Sequence, residues 1–338
     1  MSWELSDEHV AFRATCKAFV DREIRPLVAE AERTGTFPTD LMKRFGAAGL
    51  LGLVTPEDLG GSGNDSLAVA ILSEELARAS GGIAVTALVS AYMAGPHIVR
   101  HGTAAQRERW VGALCDGEAI AAIAVTEPQA GSDVAGMTST ARRTGEGWVL
   151  NGRKMFITNA GIADVLIVGA RTSDDRHTGV TLFLVEKGTP GLSFGNPLTK
   201  MGWHSSDTRE VLLDDVHVTA DAVLGTEGRG FQQIMEGFQL ERISLAGMGL
   251  GHAAESLDLA RAYTRERTAF GAPLTNLQTI RHKLATMEIE LDAARLMTYQ
   301  SALRLDAGHP LAFKTVAQAK YFAATASRPW TSSSRRRG

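Results

Sequence analysis

The sequence predicts an α+β protein laid out as helical, then β, then helical again, and three observations carry this. Apolar residues recur at helical spacing from Ser6 to about Gly117. Around Ala119 the pattern changes to short apolar runs and period-two alternation. From about Gly228 the 3.6-residue period returns in three long segments. The expected division is an N-terminal all-α domain over 1-118, a middle β domain of barrel or sandwich type over 119-226, a C-terminal helical bundle over 227-327 and an irregular tail over 328-338.

Each element has a local reason. Ser6 stands as an N-cap, flanked by Leu5 and Val10 at the spacing of a hydrophobic staple, and Val10, Cys16, Phe19, Val20, Leu27 and Val28 approximate an apolar stripe. Further helices are expected in SLAVAILSEELARA and TAAQRERWVGAL, where Thr103 and Gln106 have capping-box spacing. The stretch TPEDLGGSGND is rich in turn formers. AIAAIAVT, MTSTARR, WVLNGRKMFIT, DVLIVGAR, VTLFLVE and REVLLDDVHV read as strands. Asn151-Gly152 is a favoured dipeptide of two-residue type I′ turns, so it predicts a hairpin between WVL and RKMFI. The last helices are expected up to Gly251 and on to Arg267, from Asn276 to Ala307 and from Pro310 to Ser327.

Composition excludes several functions. With 35 basic and 38 acidic residues in 338 and a net charge of −3, no broad basic field exists, so no nucleic acid partner is expected. Cys16 and Cys115 are far apart and form neither a disulfide framework nor a C-x-x-C site, which points to a reducing compartment and a cytoplasmic location. The N-terminal residues lack a basic and then apolar leader, and no run of about 18 apolar residues occurs, so no membrane partner is expected. Gly247, Gly249 and Gly251 form a G-x-G-x-G without a strand before it, which reads as close helix packing and not as a dinucleotide loop. His97 and His101 stand four apart without the Glu of H-E-x-x-H and are read as ordinary histidines, so no metal is expected.

The segment AVTEPQAGSDVAG, residues 124–136, leaves a strand and enters a loop of small and polar residues. Such a loop can cradle a phosphate or a heterocycle, or it can be a tight turn. The segment resembles the signature of the acyl-CoA dehydrogenase family, and GRKMFITNAG, residues 152–161, resembles that family's second flavin-contacting strand. PEDLGGSG, KMGWHSSDT, LGTEGRGF and RERTAFGAPLTNLQ follow in the family's order, so the resemblance runs from about Leu5 to Ser327. It implies a helical domain, a β domain and a C-terminal four-helix bundle. It also implies FAD as cofactor, acyl-CoA as substrate, an electron-transfer flavoprotein as acceptor, and a homo-oligomer, tetramer or dimer, in which FAD reaches across a subunit boundary.

Carried over residue by residue, the resemblance makes Val125 and Thr126 flavin-ring contacts, Thr158 the hydroxyl near flavin N5, and Gly131 and Ser132 part of the phosphate-facing loop. Phe156 stands where many members have Trp and still offers an aromatic wall. Arg267, Phe270 and Gln278 correspond to residues that hold the FAD of a neighbouring subunit.

Breaking two C–H bonds needs a carboxylate beside the substrate α-carbon and flavin N5 beside the β-carbon, with the thioester carbonyl hydrogen-bonded as charge develops on it. Most of the family takes the carboxylate from a Glu after a Gly-Gly-x-Gly-Tyr stretch near the C-terminus. This sequence ends before such a stretch, so an incomplete bundle is expected. The isovaleryl-CoA and long-chain variants instead use a Glu-Arg pair on the first long bundle helix, which is Glu241 and Arg242 in FQLERISLAG. On this resemblance Glu241 is the catalytic base, and Arg242 joins Ser132 on the substrate side. A Glu between Leu240 and Ile243 is expected to lose hydration and rise in pKa; read without the resemblance it is a surface Glu beside a solvated Arg. The implied function is α,β-desaturation of an acyl-CoA thioester. The alternatives are a flavin oxidase, hydroxylase or desulfinase on the same fold, or a truncated chain with impaired catalysis.

Overall fold

The Ser6 hydroxyl accepts from the His9 amide and so opens the first helix, as the cap spacing predicts. A computed structural model describes residues 5–334, with side chains through Ala326. Helices α1 (Asp7–Phe19), α2 (Arg25–Thr34) and α3 (Asp40–Ala47) lead to α4 (Ser66–Ala79), α5 (Gly81–Leu88), α6 (Gly95–His101) and α7 (Ala104–Cys115). Thr103 and Gln106 close both halves of the expected capping box at the start of α7. Strands β1 (Ala121–Ala124), β2 (Thr140–Arg143), β3 (Gly147–Thr158), β4 (Val165–Arg171), β5 (Val180–Glu186), β6 (Leu192–Phe194), β7 (Thr208–Thr219) and β8 (Val223–Leu224) follow. Then come α8 (Gly230–Glu266), the short pair β9 (Thr268–Ala269) and β10 (Ala272–Pro273), α9 (Gln278–Asp306) and α10 (Ala312–Ser334). The order helical, β, helical is the one the hydrophobic periods predict.

The chain folds as two compact units, neither of them one continuous stretch. One consists of residues Leu27–Asn64 and Val85–Glu241 and holds the sheet. Its eight strands run β6-β7-β3-β2-β4-β5-β8, with β1 parallel to β4. Ile98 of α6, Val111 and Leu114 of α7, Ile167 of β4, Leu182 of β5 and Ile234 of α8 share its core. The other consists of the described residues of Met1–Pro26, Asp65–Ala84 and Arg242–Gly338. There α8 contributes Leu250, Ala254 and Leu257 to a core with Leu291 and Ala294 of α9 and Ala323 of α10.

The glycine triplet belongs to this helical unit and sits inside α8. A Cβ on Gly247 would stand 2.6 Å from the Ala70 carbonyl, and one on Gly251 would stand 2.2 Å from the Glu74 carbonyl. Close helix packing is therefore what these glycines serve, as their sequence context predicts.

Three expectations change. Asn151-Gly152 is not a hairpin turn, because β3 runs unbroken through it and pairs with β2 on one side and β7 on the other. The dipeptide forms a bulge against β7, where the register shifts between Leu150 and Gly152. The Asn151 carboxamide exchanges two 2.9 Å hydrogen bonds with Asp215, and Gly152 (φ +153°) passes so close to Ser139 that a Cβ would lie 2.2 Å from its hydroxyl. The turn lies six residues earlier, at Gly145-Glu146, where the Thr144 amide donates to the Gly147 carbonyl. Second, Gly81–His101 is long and apolar enough to cross a membrane by length and composition, yet almost all of it is buried in the protein, as a core helix is. Third, α10 continues past Ser327 to Ser334, and residues 335–338 of the expected tail lie outside the described residues.

Candidate active site

β1 delivers the chain to Val125, Thr126 and Glu127, and the small-residue loop follows. Glu127 organises that loop. Its backbone exchanges hydrogen bonds with Ala130, closing a tight turn. One carboxylate oxygen accepts from Lys154 Nζ at 2.7 Å and from the Ser139 amide at 3.0 Å. The other accepts from the Thr138 amide at 2.6 Å, the Thr138 hydroxyl at 3.0 Å and Gln129 Nε2 at 2.9 Å. Glu127 and Lys154 are 1% and 0% exposed at their side chains. Burial alone would raise the Glu127 pKa, but Lys154 and the donors at 138–139 outweigh it and hold the carboxyl at about 2. Burial pulls Lys154 below its ordinary value, against the attraction of Glu127.

Two backbone contacts tie the loop to β3. Lys154 Nζ donates to the Val125 carbonyl at 3.3 Å, and the Met155 amide donates to the Thr126 carbonyl at 2.8 Å. Met155 can turn towards the loop because β3 bulges again against β7 between Lys154 and Ile157. The same bulge turns Phe156 outwards. It has φ +60°, an uncommon conformation for an aromatic residue, and is 63% exposed. Thr158 follows, half-buried. Asn159 (φ +68°) fixes the strand end, donating from Nδ2 to the carbonyls of Thr86 at 2.9 Å and Ala121 at 3.3 Å. Asp207 accepts from the Gly161 amide at 2.7 Å and pairs with Arg209.

The fold thus ties Val125 and Thr126 to the strand that carries Phe156 and Thr158. Gly131 and Ser132 are exposed farther along the loop, and a Cβ on Gly131 would meet nothing within 4 Å. Glu241, half-buried on α8, belongs to the same unit. Arg242, Arg267, Phe270 and Gln278 belong to the helical unit. There Phe270 and Gly271 form the tip of the β9–β10 hairpin with φ +54° and +79°, the left-handed pair a two-residue primed turn requires, and Phe270 is 94% exposed.

Sequence reading missed Glu127, Lys154, Asn159 and Asp207. Glu127 and Lys154 lie inside the quoted motifs, and the signal available was a lysine among the apolar residues of a strand, a placement that demands an acidic partner.

These residues fit a flavin. Thr126 and Thr158, the exposed ring of Phe156 and the open space at Gly131 supply the hydroxyls, the aromatic face and the room that an electron-rich planar ring and its phosphates need. Fold and site together define a flavin-dependent oxidoreductase. The acyl-CoA dehydrogenase N-terminal, middle and C-terminal domain profiles match residues 6–118, 122–216 and 228–332. The chain belongs to the acyl-CoA dehydrogenase family. It is 40% identical over 328 residues to the mitochondrial short-chain specific acyl-CoA dehydrogenase of Mus musculus, covering 96% of this chain and 79% of that one. Butyryl-CoA dehydrogenase from Megasphaera elsdenii superposes with a TM-score of 0.95 at 35% identity, over 98% of this chain and 88% of that one. A chain from the structure described as the electron transferring flavoprotein of Acidaminococcus fermentans superposes with a TM-score of 0.95 at 32% identity and the same coverage. The activity is the FAD-dependent α,β-dehydrogenation of an acyl-CoA thioester.

Proposed function

We propose that this chain desaturates short-chain acyl-CoA thioesters, with Glu241 removing the α-proton and an electron-transfer flavoprotein taking the electrons. The observation that carries the reading is the tether of Val125 and Thr126 to the bulge of β3, which sets two loop backbone positions against the strand that carries the outward-turned Phe156 and Thr158. Bound FAD supplies the hydride acceptor. Val125, Thr126 and Thr158 orient its ring, Phe156 covers one edge, and Gly131 and Ser132 face the phosphates. Glu241 receives the proton, with the apolar Leu240 and Ile243 beside it at 3% and 0% exposure, and Arg242 and Ser132 hold the substrate.

Arg267, Phe270 and Gln278 reach the FAD of a neighbouring copy in a homo-oligomer, which accounts for an aromatic residue held at the tip of an exposed hairpin. Likeness to a chain from an electron transferring flavoprotein structure supports the choice of acceptor, and likeness to short-chain and butyryl-CoA enzymes supports the acyl length. Free, buried Cys16 and Cys115 suit a cytoplasmic setting.

Anaerobic titration of the FAD-loaded protein with acyl-CoAs of increasing length tests the reading. Butyryl-CoA should bleach the flavin band fastest. Bleaching only by long-chain thioesters, or by none, would overturn it.

A further inference from the structure

The buried Glu127–Lys154 pair lies behind the loop and makes none of the contacts assigned to FAD or substrate. Its partners explain why it is there. A loop of small residues between Pro128 and Gly136 has few apolar side chains with which to fix itself. Glu127 instead gathers five donors from the loop and from residues 138, 139 and 154 onto one carboxylate. Lys154 divides its donors between that carboxylate and the Val125 carbonyl. The ammonium therefore links the charge at the loop's base to the backbone position that faces the ring. Next to it along β3, Met155 holds the Thr126 carbonyl in the same way.

Two consecutive loop carbonyls are thus anchored to two consecutive strand residues, at the bulge that also turns Phe156 outwards. If Glu127 loses its charge, the buried Lys154 ammonium keeps only the Val125 carbonyl; if Lys154 loses its charge, the Glu127 carboxylate keeps four donors but no opposite charge, and in either case the remaining buried ion draws in water. The loop offers water access, since its residues 128, 129 and 131–133 are exposed. The strands on either side retain their ladders with β2 and β7.

We propose that Glu127 and Lys154 are positioning residues for the cofactor: together they set the Val125–Thr126 backbone at the flavin ring, and losing either charge releases that backbone while the sheet stays folded. The inference rests on the reading that Val125 and Thr126 contact FAD.

The test uses the full chain stripped of FAD and titrated with FAD, following flavin fluorescence, the visible spectrum of the bound flavin and the thermal unfolding of each apoprotein. Lys154→Met and Glu127→Gln should each weaken FAD binding by about 10-fold or more, the size that supporting residues behind a bound group commonly carry, and should alter the shape of the flavin band. Lys154→Arg keeps the charge and should restore most of the affinity. The double variant Glu127→Gln/Lys154→Met leaves no lone buried charge and provides a folded protein if a single variant unfolds. It should still bind weakly with an altered band, because the Val125 carbonyl loses its donor.

Folded variants that bind FAD with the parent's affinity and spectrum, losing only thermal stability, would show a merely structural pair and overturn the proposal. A parent apoprotein that binds no FAD would instead overturn the underlying reading of Val125 and Thr126, and the proposal with it.

Discussion

Glu241 lies between Leu240 and Arg242 on α8, with Leu240 and Ile243 buried, so a carboxylate there is carried by a long helix with a buried apolar residue just before it and another two positions after it. Glu241→Gln keeps the shape and removes the proposed base. Anaerobic flavin reduction by the best acyl-CoA should fall at least about 10²-fold, the lower end for a positioned general base, with FAD affinity unchanged; reduction at the parent rate would reassign the base. A second residue sets a pH limit. His97 is 3% exposed, and burial, with His101 and Arg100 nearby, pushes its pKa down from 6.5 to about 4. The unfolded chain takes up this proton near pH 6.5 and the folded chain only near pH 4. His97 therefore contributes its full stability above about pH 6.5, and that contribution is lost as pH falls from 6.5 to 4, by at most about 3 kcal/mol. Glu127 acts in a lower window: its contribution is present above about pH 4.5 and is lost towards pH 2. Urea unfolding of His97→Gln should show a flatter dependence between pH 6.5 and 4 than the parent. Equal slopes would mean that His97 titrates freely.

Among the elements, α8 and α7 make opposite demands on glycine. A methyl group at Gly251 would enter the Glu74 carbonyl at 2.2 Å and lie 2.9 Å from Ala77 Cβ, whereas one at Gly112 in α7 would meet nothing within 4 Å. Gly251→Ala should destabilise by about 1–3 kcal/mol through overpacking, and Gly112→Ala should stabilise by about 0.5–1 kcal/mol through helix propensity. Urea titration of both measures the difference, and a neutral Gly251→Ala would deny the close packing. The same scale shows what sequence could reveal. Caps such as Ser6 and the Thr103–Gln106 box act within four residues, so local reasoning finds them. The apolar stripe of α1 was only partly readable, because a π-helical turn at Val20–Ile24 rotates the following face. Ile24 is fully buried as a result, while Leu27 and Val28 stay half-buried and Val10 is 54% exposed. Asn151-Gly152 misled for a related reason: its turn preference is local, but β7 offers a ladder to both sides of it, and pairing overrides the dipeptide. The residues proposed to face the flavin sit in short motifs, which is why sequence alone could nominate them. Glu127 and Lys154 are 27 residues apart, and no periodicity joins them.

At the scale of the whole molecule, the helices up to Cys115 serve both units: α1 and α4 belong to the helical unit, and α3, α6 and α7 to the unit that holds the sheet. The helical unit also carries apolar side chains that its own fold leaves in solvent. On α9, Ile289, Leu296 and Leu303 recur every seven residues at 68%, 42% and 40% exposure, and that spacing places them along one side of the helix. Leu259 on α8 and Phe313 on α10 are also mostly exposed, at 63% and 59%, and Phe270 is 94% exposed. Single exposed apolar residues need no explanation, but a repeated row on one helix and an aromatic hairpin tip on the same unit suit a surface covered by another copy of the chain. Cofactor content should then follow assembly, because Arg267, Phe270 and Gln278 would reach FAD only from a neighbouring copy. Charges placed in the row by Ile289→Lys and Leu296→Lys should shift sedimentation towards the monomer, and FAD retained through gel filtration should fall with it. Phe270→Ala should lower FAD retention while leaving the sedimentation coefficient in place, since it removes the proposed ring contact and leaves the α9 row intact. A purely monomeric parent that retains stoichiometric FAD would overturn both the assembly and the cross-subunit role of these residues.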